Sequence, residues 1–496
     1  MTGTVLGAGV TFGAQSLEQR ALLPVVLLAV GALAVLLIDL FVPQRPRLVG
    51  WVTVGVVAVA LATLPISFGE QSLCSAGGAC SYSVTGPAPA LQLLVLASSL
   101  VVVLLSVTLV DDLGLPPGEY HFLLLASVVG ATVVPATRDF VSLIVALEVV
   151  TLPTIALVAL PRRRGRDDPD AAEGALKLFM WSVVSVAVST YGLALLYGAT
   201  GSLRMDDVAR ALAEPVHRTP VAAVAIVMVL GVLLFKVAVV PWHVWAPDVY
   251  QSAPVPVAAY LSVVSKVAGF AGLVLAVTAF APWPSVWAWP LALCAAATML
   301  VANVAALRQT HAVRLLAWSS VAQAGYVVVP FGAAVAAGRS PLPALTAVVA
   351  YLAVYAAMNL GAFGVVTLVA RNRPDPPLAA FDGLARSQPV VGVCLALFLA
   401  ALAGLPPGLS GLFAKVGVLA VPVGTGAWVL ALVMGVASVI GIAYYLPFAA
   451  RAFRAPGADS VAAGLSGPLR LALALTVGAT VVLSLVPALA FGLASL

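Results

Sequence analysis

Continuous apolar runs alternate along the whole chain with short segments that contain charged residues, glycine or proline. Each run is long enough for one α-helix to cross the roughly 30 Å hydrocarbon core of a bilayer. The runs do not alternate apolar with polar residues as barrel strands do, so they predict helices and exclude a transmembrane β-barrel. The fourteen predicted helices lie at 21–42, 48–68, 89–110, 120–136, 140–160, 174–199, 220–240, 254–281, 285–307, 312–337, 342–370, 389–421, 426–450 and 467–493.

The composition supports this interpretation. Hydrophobic residues make up 62% of the 496 residues and charged residues only 9%, whereas soluble domains carry about 25% charged residues. We therefore expect an all-α polytopic membrane protein, and the collagen-like, disordered and disulfide-scaffold classes are excluded. The predicted loops are too short for a soluble catalytic domain, and the sequence contains no Walker loop, GxGxxG or HExxH motif.

The arginines of the short loops indicate how the chain is oriented. Fourteen arginines follow odd-numbered predicted helices and six lie on the other side. Because arginine and lysine accumulate in cytosolic loops, both termini are predicted to lie outside the cytosol. The same loops account for the net charge of +5, so no nucleic-acid partner is expected. The first run lacks a basic leader and a cleavage site, which favours a membrane helix over a cleaved signal peptide.

The four cysteines predict no metal or iron–sulfur site, because they show no CxxC spacing and the four histidines are scattered. Cys74 and Cys80 lie in a Gly/Ser-rich loop that this orientation places outside, where a disulfide can persist. The alternative is a chance pair of thiols. Cys294 and Cys394 lie within apolar runs and are expected to pack as small apolar groups.

Four ionisable residues lie inside the apolar runs: Glu148, Lys236, Lys266 and Lys415. A charge at the centre of a membrane helix costs about 2.5–3.5 kcal/mol, so such residues predict a functional site. Structural alternatives are that Lys236 snorkels to an interface and that Lys415 begins a short half-helix. A desolvated lysine releases its proton readily, whereas arginine does not. We therefore predict that these residues handle protons.

Two of the lysines lie beside helix interruptions. Pro241, Pro247, Pro254 and Pro256 follow Lys236, and the glycine- and proline-rich segment 404–411 precedes Lys415. Both places carry an LF(x)KV core, at 234–237 and 412–416. Interrupted membrane helices expose backbone groups that only protein or a water-filled cavity can satisfy. The pair predicts transporter-type inverted repeats, with coincidence of apolar composition as the alternative.

Six stretches of this chain resemble the antiporter-like proton-pumping subunits of respiratory complex I. The long stretch LLFKVAVVPWHVWAPDVYQSAPVPVAAYLSVVSKVAGF at 233–270 is highly specific for that superfamily. The other five are LEVVTLPTIALVAL at 147–160, EGALKLFMWSVVSVAVSTYGLALLYGATGSL at 173–203, NVAALRQTHAVRLLAWSSVAQAGYV at 303–327, MNLGAFGVV at 358–366 and LAGLPPGLSGLFAKVGVL at 402–419.

The resemblance implies fourteen helices in four parts. Helices 1–3 occupy 1–119, helices 4–8 occupy 120–281, helices 9–13 occupy 285–450, and helix 14 occupies 467–496. The two five-helix groups are implied to be inverted repeats, with helices 7 and 12 broken. Among sister subunits, one branch usually carries Glu where Lys415 stands, and another is longer than a chain that stops at Leu496, just after helix 14. Both observations favour the subunit N branch.

The resemblance also implies a role for each charged residue. Glu148 is the helix-5 glutamate that pairs with Lys236 of helix 7, Lys266 is the central lysine of helix 8, and Lys415 is the helix-12 lysine toward the outer exit. Lys177, at the start of a span, matches the family's EAALKYF motif. The family's LLAYSSIAH-type motif reads LLAWSSVAQ here, so Gln323 stands where relatives often carry His. Glutamine cannot titrate, and we expect it to hold water instead.

The expected function is redox-driven proton translocation by a non-redox membrane subunit of an NADH:quinone oxidoreductase. The resemblance implies that NAD, FMN, iron–sulfur clusters and quinone bind in partner subunits, with no cofactor in this chain. The expected partners are other membrane subunits of complex I in a bacterial cell membrane. Three alternatives remain: a subunit of a multisubunit monovalent cation/proton antiporter, a membrane enzyme for lipid-linked substrates, and a structural scaffold.

Overall fold

The apolar runs form helices in the computed structural model, which describes residues 16–43, 45–75, 78–161, 168–336, 342–457 and 464–493. Within these ranges, twelve helices are long and apolar enough to cross a membrane, which confirms a helical polytopic membrane protein. The helices are α1 (Gln19–Phe41), α2 (Pro46–Thr63), α3 (Ala88–Leu113), α4 (Pro117–Val133), α5 (Phe140–Ala159), α6 (Pro169–Thr200), α7 (Met205–Ala213), α8 (Pro220–Lys236), α9 (Ala246–Ser252), α10 (Val255–Ser262), α11 (Val264–Ala279), α12 (Ala288–Ala306), α13 (Ala312–Ala336), α14 (Leu342–Ala370), α15 (Leu384–Ser387), α16 (Pro389–Ala403), α17 (Leu409–Thr425), α18 (Trp428–Arg451), α19 (Gly467–Leu485) and α20 (Ala488–Gly492).

The helices are interrupted at both of the proline- and glycine-rich segments that the sequence marked, just after Lys236 and inside the predicted span 389–421. Helix α8 ends at Lys236, and the chain resumes a helix only at α9. Helix α16 ends where Gly404 adopts a φ of +85°, a conformation that favours glycine. A further interruption, which was not predicted, separates α10 from α11 at Val263. The count of fourteen spans, the four-part division and the inverted repeats stay predictions.

The interior of the helix assembly is formed mainly by α3, α10, α11, α13 and α14. Along α14, every residue of its most apolar stretch is buried, whereas only about a third of the corresponding stretches of α1, α2, α6 and α18 is buried. The outer helices expose large apolar side chains such as Leu37, Val145 and Leu432. Such exposure suits a protein surrounded by lipid or membrane partners. Lys266 belongs to the most buried layer, on α11.

A small β-hairpin is the element that the all-α prediction missed. Strands β1 (Gln71–Cys74) and β2 (Cys80–Ser83) pair antiparallel between α2 and α3. Cys74 and Cys80 form a disulfide that closes the hairpin, which decides between the two interpretations left open above. The strands are only four residues long, so they carry no alternating pattern that a sequence could reveal.

Contacts between loops sort them into two groups at opposite ends of the helices. The guanidinium group of Arg138 donates to the carbonyl oxygens of Ser83 and Thr85 in the hairpin segment. Arg204 donates to the carbonyl oxygen of Cys80. These loops all follow even-numbered predicted helices. At the other end, Arg371 pairs with Asp112 at 2.6 Å, and both follow odd-numbered helices. The chain therefore crosses alternately, while the side that faces the cytosol stays a prediction.

Candidate functional site

Lys236 and Glu148 form an ion pair between α8 and α5. The ammonium nitrogen of Lys236 lies 2.8 Å from Glu148 Oε1 and also donates to the hydroxyl of Thr151, one helical turn further along α5. The Lys236 side chain is only 4% exposed, so it does not snorkel to an interface, whereas Glu148 is 23% exposed. Lys236 is the last residue of α8, where the partial negative charge of the helix end also stabilises a cation.

Lys266 is held by a backbone oxygen in the most buried layer. Its ammonium nitrogen donates to the carbonyl oxygen of Ser320 on α13 at 2.7 Å. Gly269, one turn along α11, packs directly against Lys236, since a Cβ atom there would lie 3.1 Å from the Lys236 Cβ. Helix α11 therefore brings the first two lysines close together.

Lys415 is held by the end of a neighbouring helix. It lies on α17 and donates to the carbonyl oxygens of Leu402 and Ala403, at 3.0 and 2.9 Å, in the last turn of α16. These carbonyls belong to the group that a helix leaves unsatisfied at its C-terminus. The ammonium also lies 5.5 Å from the centre of the Tyr326 ring, within cation–π range. Lys415 is the seventh residue of α17, which begins at Leu409, and its side chain is buried. It therefore does not begin a half-helix.

The two lysines beside the interruptions do not occupy equivalent positions. Lys236 precedes the break between α8 and α9, whereas Lys415 follows the break between α16 and α17. The two lysines therefore lie on different sides of their breaks although their LF(x)KV cores are similar, and the inverted repeats stay a prediction. What they share is contact with a helix C-terminus: Lys236 ends its own helix, and Lys415 reaches the end of α16.

A polar cluster that sequence reasoning missed lies between Lys266 and Lys415. Gln323 donates from Nε2 to the hydroxyl of Tyr445 at 3.1 Å, and the hydroxyl of Tyr351 donates to Gln323 Oε1. Asn303 joins the cluster by donating to Tyr326 at 3.3 Å. The amide of Gln323 therefore contacts two tyrosines. The signal that could have revealed this cluster is the presence of tyrosine and asparagine deep inside apolar runs, away from the interfaces where tyrosine is common.

Lys177 lies in a separate network of charges. Its ammonium nitrogen is 2.6 Å from Glu173 and 2.9 Å from Asp248, which in turn pairs with Arg314 at 2.8 Å. These residues line a cavity of about 280 Å³, and Lys177 is 39% exposed. The structure does not bring Lys177 to the Lys236–Glu148 pair. It is connected to that pair through α9, the short helix after the break, which carries Asp248.

The arrangement can hold and move protons within the membrane. Three buried ammonium groups are each stabilised by nearby oxygen atoms, and one of them has a carboxylate partner. Removing the partner of a buried ion costs about 3–5 kcal/mol, so a small displacement of Glu148 would strongly affect the charge state of Lys236. A change of about 1.36 kcal/mol in the free-energy difference between the protonated and the neutral form shifts the pKa by one unit.

Comparison with protein families finds one match across most of the helices. Residues 137–441 match the family described as NADH:quinone oxidoreductase/Mrp antiporter, transmembrane. NADH-quinone oxidoreductase subunit N 2 of Streptomyces griseus is 44% identical, with 98% of this chain and 95% of that protein covered. NADH-quinone oxidoreductase subunit N of Salinispora tropica is also 44% identical, over 87% of this chain and 84% of its own length.

Comparison with solved structures finds similar folds. A chain of respiratory complex I from Thermus thermophilus is 31% identical, with a TM-score of 0.77 over 94% of this chain and 98% of that chain. A chain of the Mrp complex from a Dietzia species has a TM-score of 0.80 over 96% of both chains. The identity to the Dietzia chain is only 21%, so this likeness concerns the fold alone.

Proposed function

From the premise that the chain belongs to the NADH:quinone oxidoreductase/Mrp antiporter membrane family, we propose how it moves protons. The chain is a proton-pumping membrane subunit of NADH-quinone oxidoreductase, of the subunit N type. It is thus part of an enzyme complex, within which it contacts other membrane subunits.

The proposal is that Lys236, Lys266 and Lys415 form a proton relay and that Glu148 controls its first step. The observation that carries it is the buried Lys236, whose ammonium nitrogen lies 2.8 Å from Glu148. While Glu148 is close, its charge keeps Lys236 protonated. When Glu148 moves away or is neutralised, Lys236 loses that stabilisation and releases its proton. The proton enters from the cytosolic side, passes Lys236 and Lys266, and leaves by way of Lys415.

Lys177 supports the relay from outside it. Through Asp248, its ion pairs fix the position of α9 and therefore the end of the break that follows Lys236. Lys177 is thus proposed to position the cytosolic side of the relay and not to carry the proton through the membrane core.

The chemistry of electron transfer is proposed to occur elsewhere in the complex. This chain acts as a non-redox part of the translocase, and NAD, FMN, iron–sulfur clusters and quinone bind to partner subunits. We place the chain in the bacterial cell membrane with both termini outside the cytosol. The arginine distribution between the two groups of loops supports that orientation.

The cation/proton antiporter alternative shares the fold but is less well supported. The Dietzia chain is 21% identical, whereas the relatives at 44% identity are oxidoreductase subunits. A transporter of monovalent cations would make pH-gradient formation depend on the cation supplied. NADH-driven pumping that is unchanged when sodium is replaced by a large organic cation supports the oxidoreductase assignment.

The deciding experiment replaces Lys236 by alanine in the assembled complex. Membrane vesicles are assayed for NADH oxidation and for formation of a pH gradient. We expect the gradient to be lost while the complex still assembles. Val232→Ala is the matched control, because Val232 is a buried apolar residue on the same helix. Pumping at the wild-type level in Lys236, Lys266 and Lys415 variants alike would refute the relay.

A further inference from the structure

A side-chain amide lies at the centre of the polar cluster between the second and third lysines. Gln323 is 2% exposed and lies on α13, four residues after Ser319. Its Nε2 donates to the Tyr445 hydroxyl, and its Oε1 accepts from the Tyr351 hydroxyl. Each of the two functional groups of the amide therefore has a tyrosine partner, on α18 and α14 respectively.

An amide has a fixed polarity at every pH, since one end only accepts and the other only donates. This polarity holds the two tyrosine hydroxyls in opposite roles: Tyr351 donates and Tyr445 accepts. With Nε2 donating to it, the Tyr445 hydroxyl can donate its own proton to the hydroxyl of Ser319, with which it shares a hydrogen bond. Ser319 is adjacent in the chain to Ser320, whose carbonyl oxygen holds Lys266.

The other side of the cluster extends toward Lys415. The rings of Tyr444 and Tyr445 are 4.4 Å apart, and Tyr444 donates to Asn303 at 2.9 Å. Asn303 donates to Tyr326, over whose ring the Lys415 ammonium lies. The amide of Gln323 is thus bonded to groups that lead to both lysines.

We propose that Gln323 is a positioning residue of the relay, whose amide keeps the hydroxyls between Lys266 and Lys415 in one orientation regardless of pH. This inference rests on the proposed relay and adds to it a direction-setting group that does not itself titrate. A hydroxyl can pass a proton only along the orientation of its hydrogen bonds. Loss of the fixed orientation should therefore slow transfer between the two lysines without changing either lysine.

A titratable substitute tests the inference through its pH profile. Neutral histidine also offers one donor and one acceptor, but protonated histidine donates from both nitrogens and cannot accept from Tyr351. The ordinary pKa of histidine is about 6.5. The titratable or charged groups that surround this position among the described residues are Tyr351, Tyr445, Tyr326, Tyr355, Tyr444, Tyr250, His243, Lys266 and Lys415. All of them are also present in the unsubstituted chain, so a new inflection would belong to the histidine.

The experiment compares Gln323→Leu, Gln323→His and Gln309→Leu in the assembled complex in membrane vesicles. Protons pumped per NADH oxidised are measured from mildly acidic to mildly alkaline pH. Gln309 is the matched control, because its amide donates to the carbonyl oxygen of Ala305, in the last turn of α12, and not to a group of the cluster. We expect Gln323→Leu to slow pH-gradient formation about tenfold, a change of rate that corresponds to ~1.4 kcal/mol, and to lower the ratio with it. Gln323→His should pump normally while the histidine is neutral and lose pumping once a falling pH protonates it.

Each outcome of this experiment either supports or overturns the positioning role of Gln323. A normal ratio in Gln323→Leu overturns the positioning role, as does a normal ratio in Gln323→His at a pH where the histidine is protonated. If Gln323→Leu does not assemble, the pH profile of Gln323→His alone decides. Failure of this inference is distinguishable from failure of the relay, because the relay is tested by the lysine variants. Normal pumping by Gln323→Leu together with lost pumping by Lys266→Ala refutes only the inference.

Discussion

Replacing Lys415 by arginine and by methionine separates two roles that the structure gives to this side chain. One role is structural, because the ammonium satisfies the carbonyl oxygens of Leu402 and Ala403 at the end of α16. The other is the proposed release of a proton. Arginine can serve the first role but not the second, and methionine can serve neither.

The magnitudes follow from these contacts. A hydrogen bond to a charged group contributes about 1.5–3 kcal/mol, so Lys415→Met forfeits ~3–6 kcal/mol, offset in part by the lost desolvation cost of the ammonium. Lys415→Arg keeps the donors but adds volume to a buried site, at about 1–3 kcal/mol. Arginine keeps its proton up to a pH of about 12, so releasing it near pH 7 costs roughly 7 kcal/mol. That cost corresponds to a pumping rate about five orders of magnitude lower.

Two measurements on the same membranes test this prediction. The thermal stability of the solubilised complex should fall in the order wild type, Lys415→Arg, Lys415→Met, while pH-gradient formation should be lost in both variants. Val418→Met controls for added volume, because Val418 is fully buried one turn further along α17. If Lys415→Arg restores both stability and pumping, Lys415 only caps α16 and takes no part in proton transfer.

Two further predictions concern the hairpin. A thiol reagent that cannot cross membranes should label Cys74 and Cys80 from outside the cell only after reduction, since they form a disulfide; labelling from the cytosolic side alone would reverse the proposed orientation. Burial raises the pKa of Tyr82 to about 12, so the folded state favours the neutral form of this side chain. About 2.7 kcal/mol of folding stability that is present below pH 10 should therefore be lost as the pH rises toward 12. Proteolysis of the hairpin should accelerate over that range in the wild type and not in Tyr82→Phe; equal acceleration in both would contradict this account.

The sequence alone revealed which residues are unusual but only part of how they are held. The sequence identified Lys236, Lys266 and Lys415 directly, because a charged residue inside an apolar run carries a large free-energy cost. The pairing of Lys236 with Glu148 came from family resemblance, because the two residues lie on helices that are distant in the sequence. The carbonyl partners of Lys266 and Lys415 could not be predicted, since any backbone in the membrane offers the same oxygen atoms and only tertiary packing selects among them.

The interruptions of the helices were also only partly predictable from the sequence. Proline and glycine clusters marked the breaks after Lys236 and before Lys415, because these residues remove or distort helical hydrogen bonds. The interruption at Val263 has no such residue at the break, since Pro254 and Pro256 lie at the start of α10. It follows from packing and not from local preference. The four-residue strands of the hairpin were missed for a related reason, as they are too short to show a period.

The helix interruptions explain how two of the three buried lysines are stabilised. A continuous helix in a membrane satisfies its own carbonyl oxygens and offers little to an ammonium group, whereas an interrupted helix leaves carbonyls at its C-terminus that attract a cation. Lys236 is the last residue before one interruption, and Lys415 binds the carbonyl oxygens before another. Lys266 lies three residues after the interruption at Val263 but binds a carbonyl of the unbroken α13. Helix ends thus stabilise two of the three lysines. Among the described residues, Lys415 is held by carbonyl oxygens without a carboxylate partner, which suits the proposed binding and release of a proton at this position.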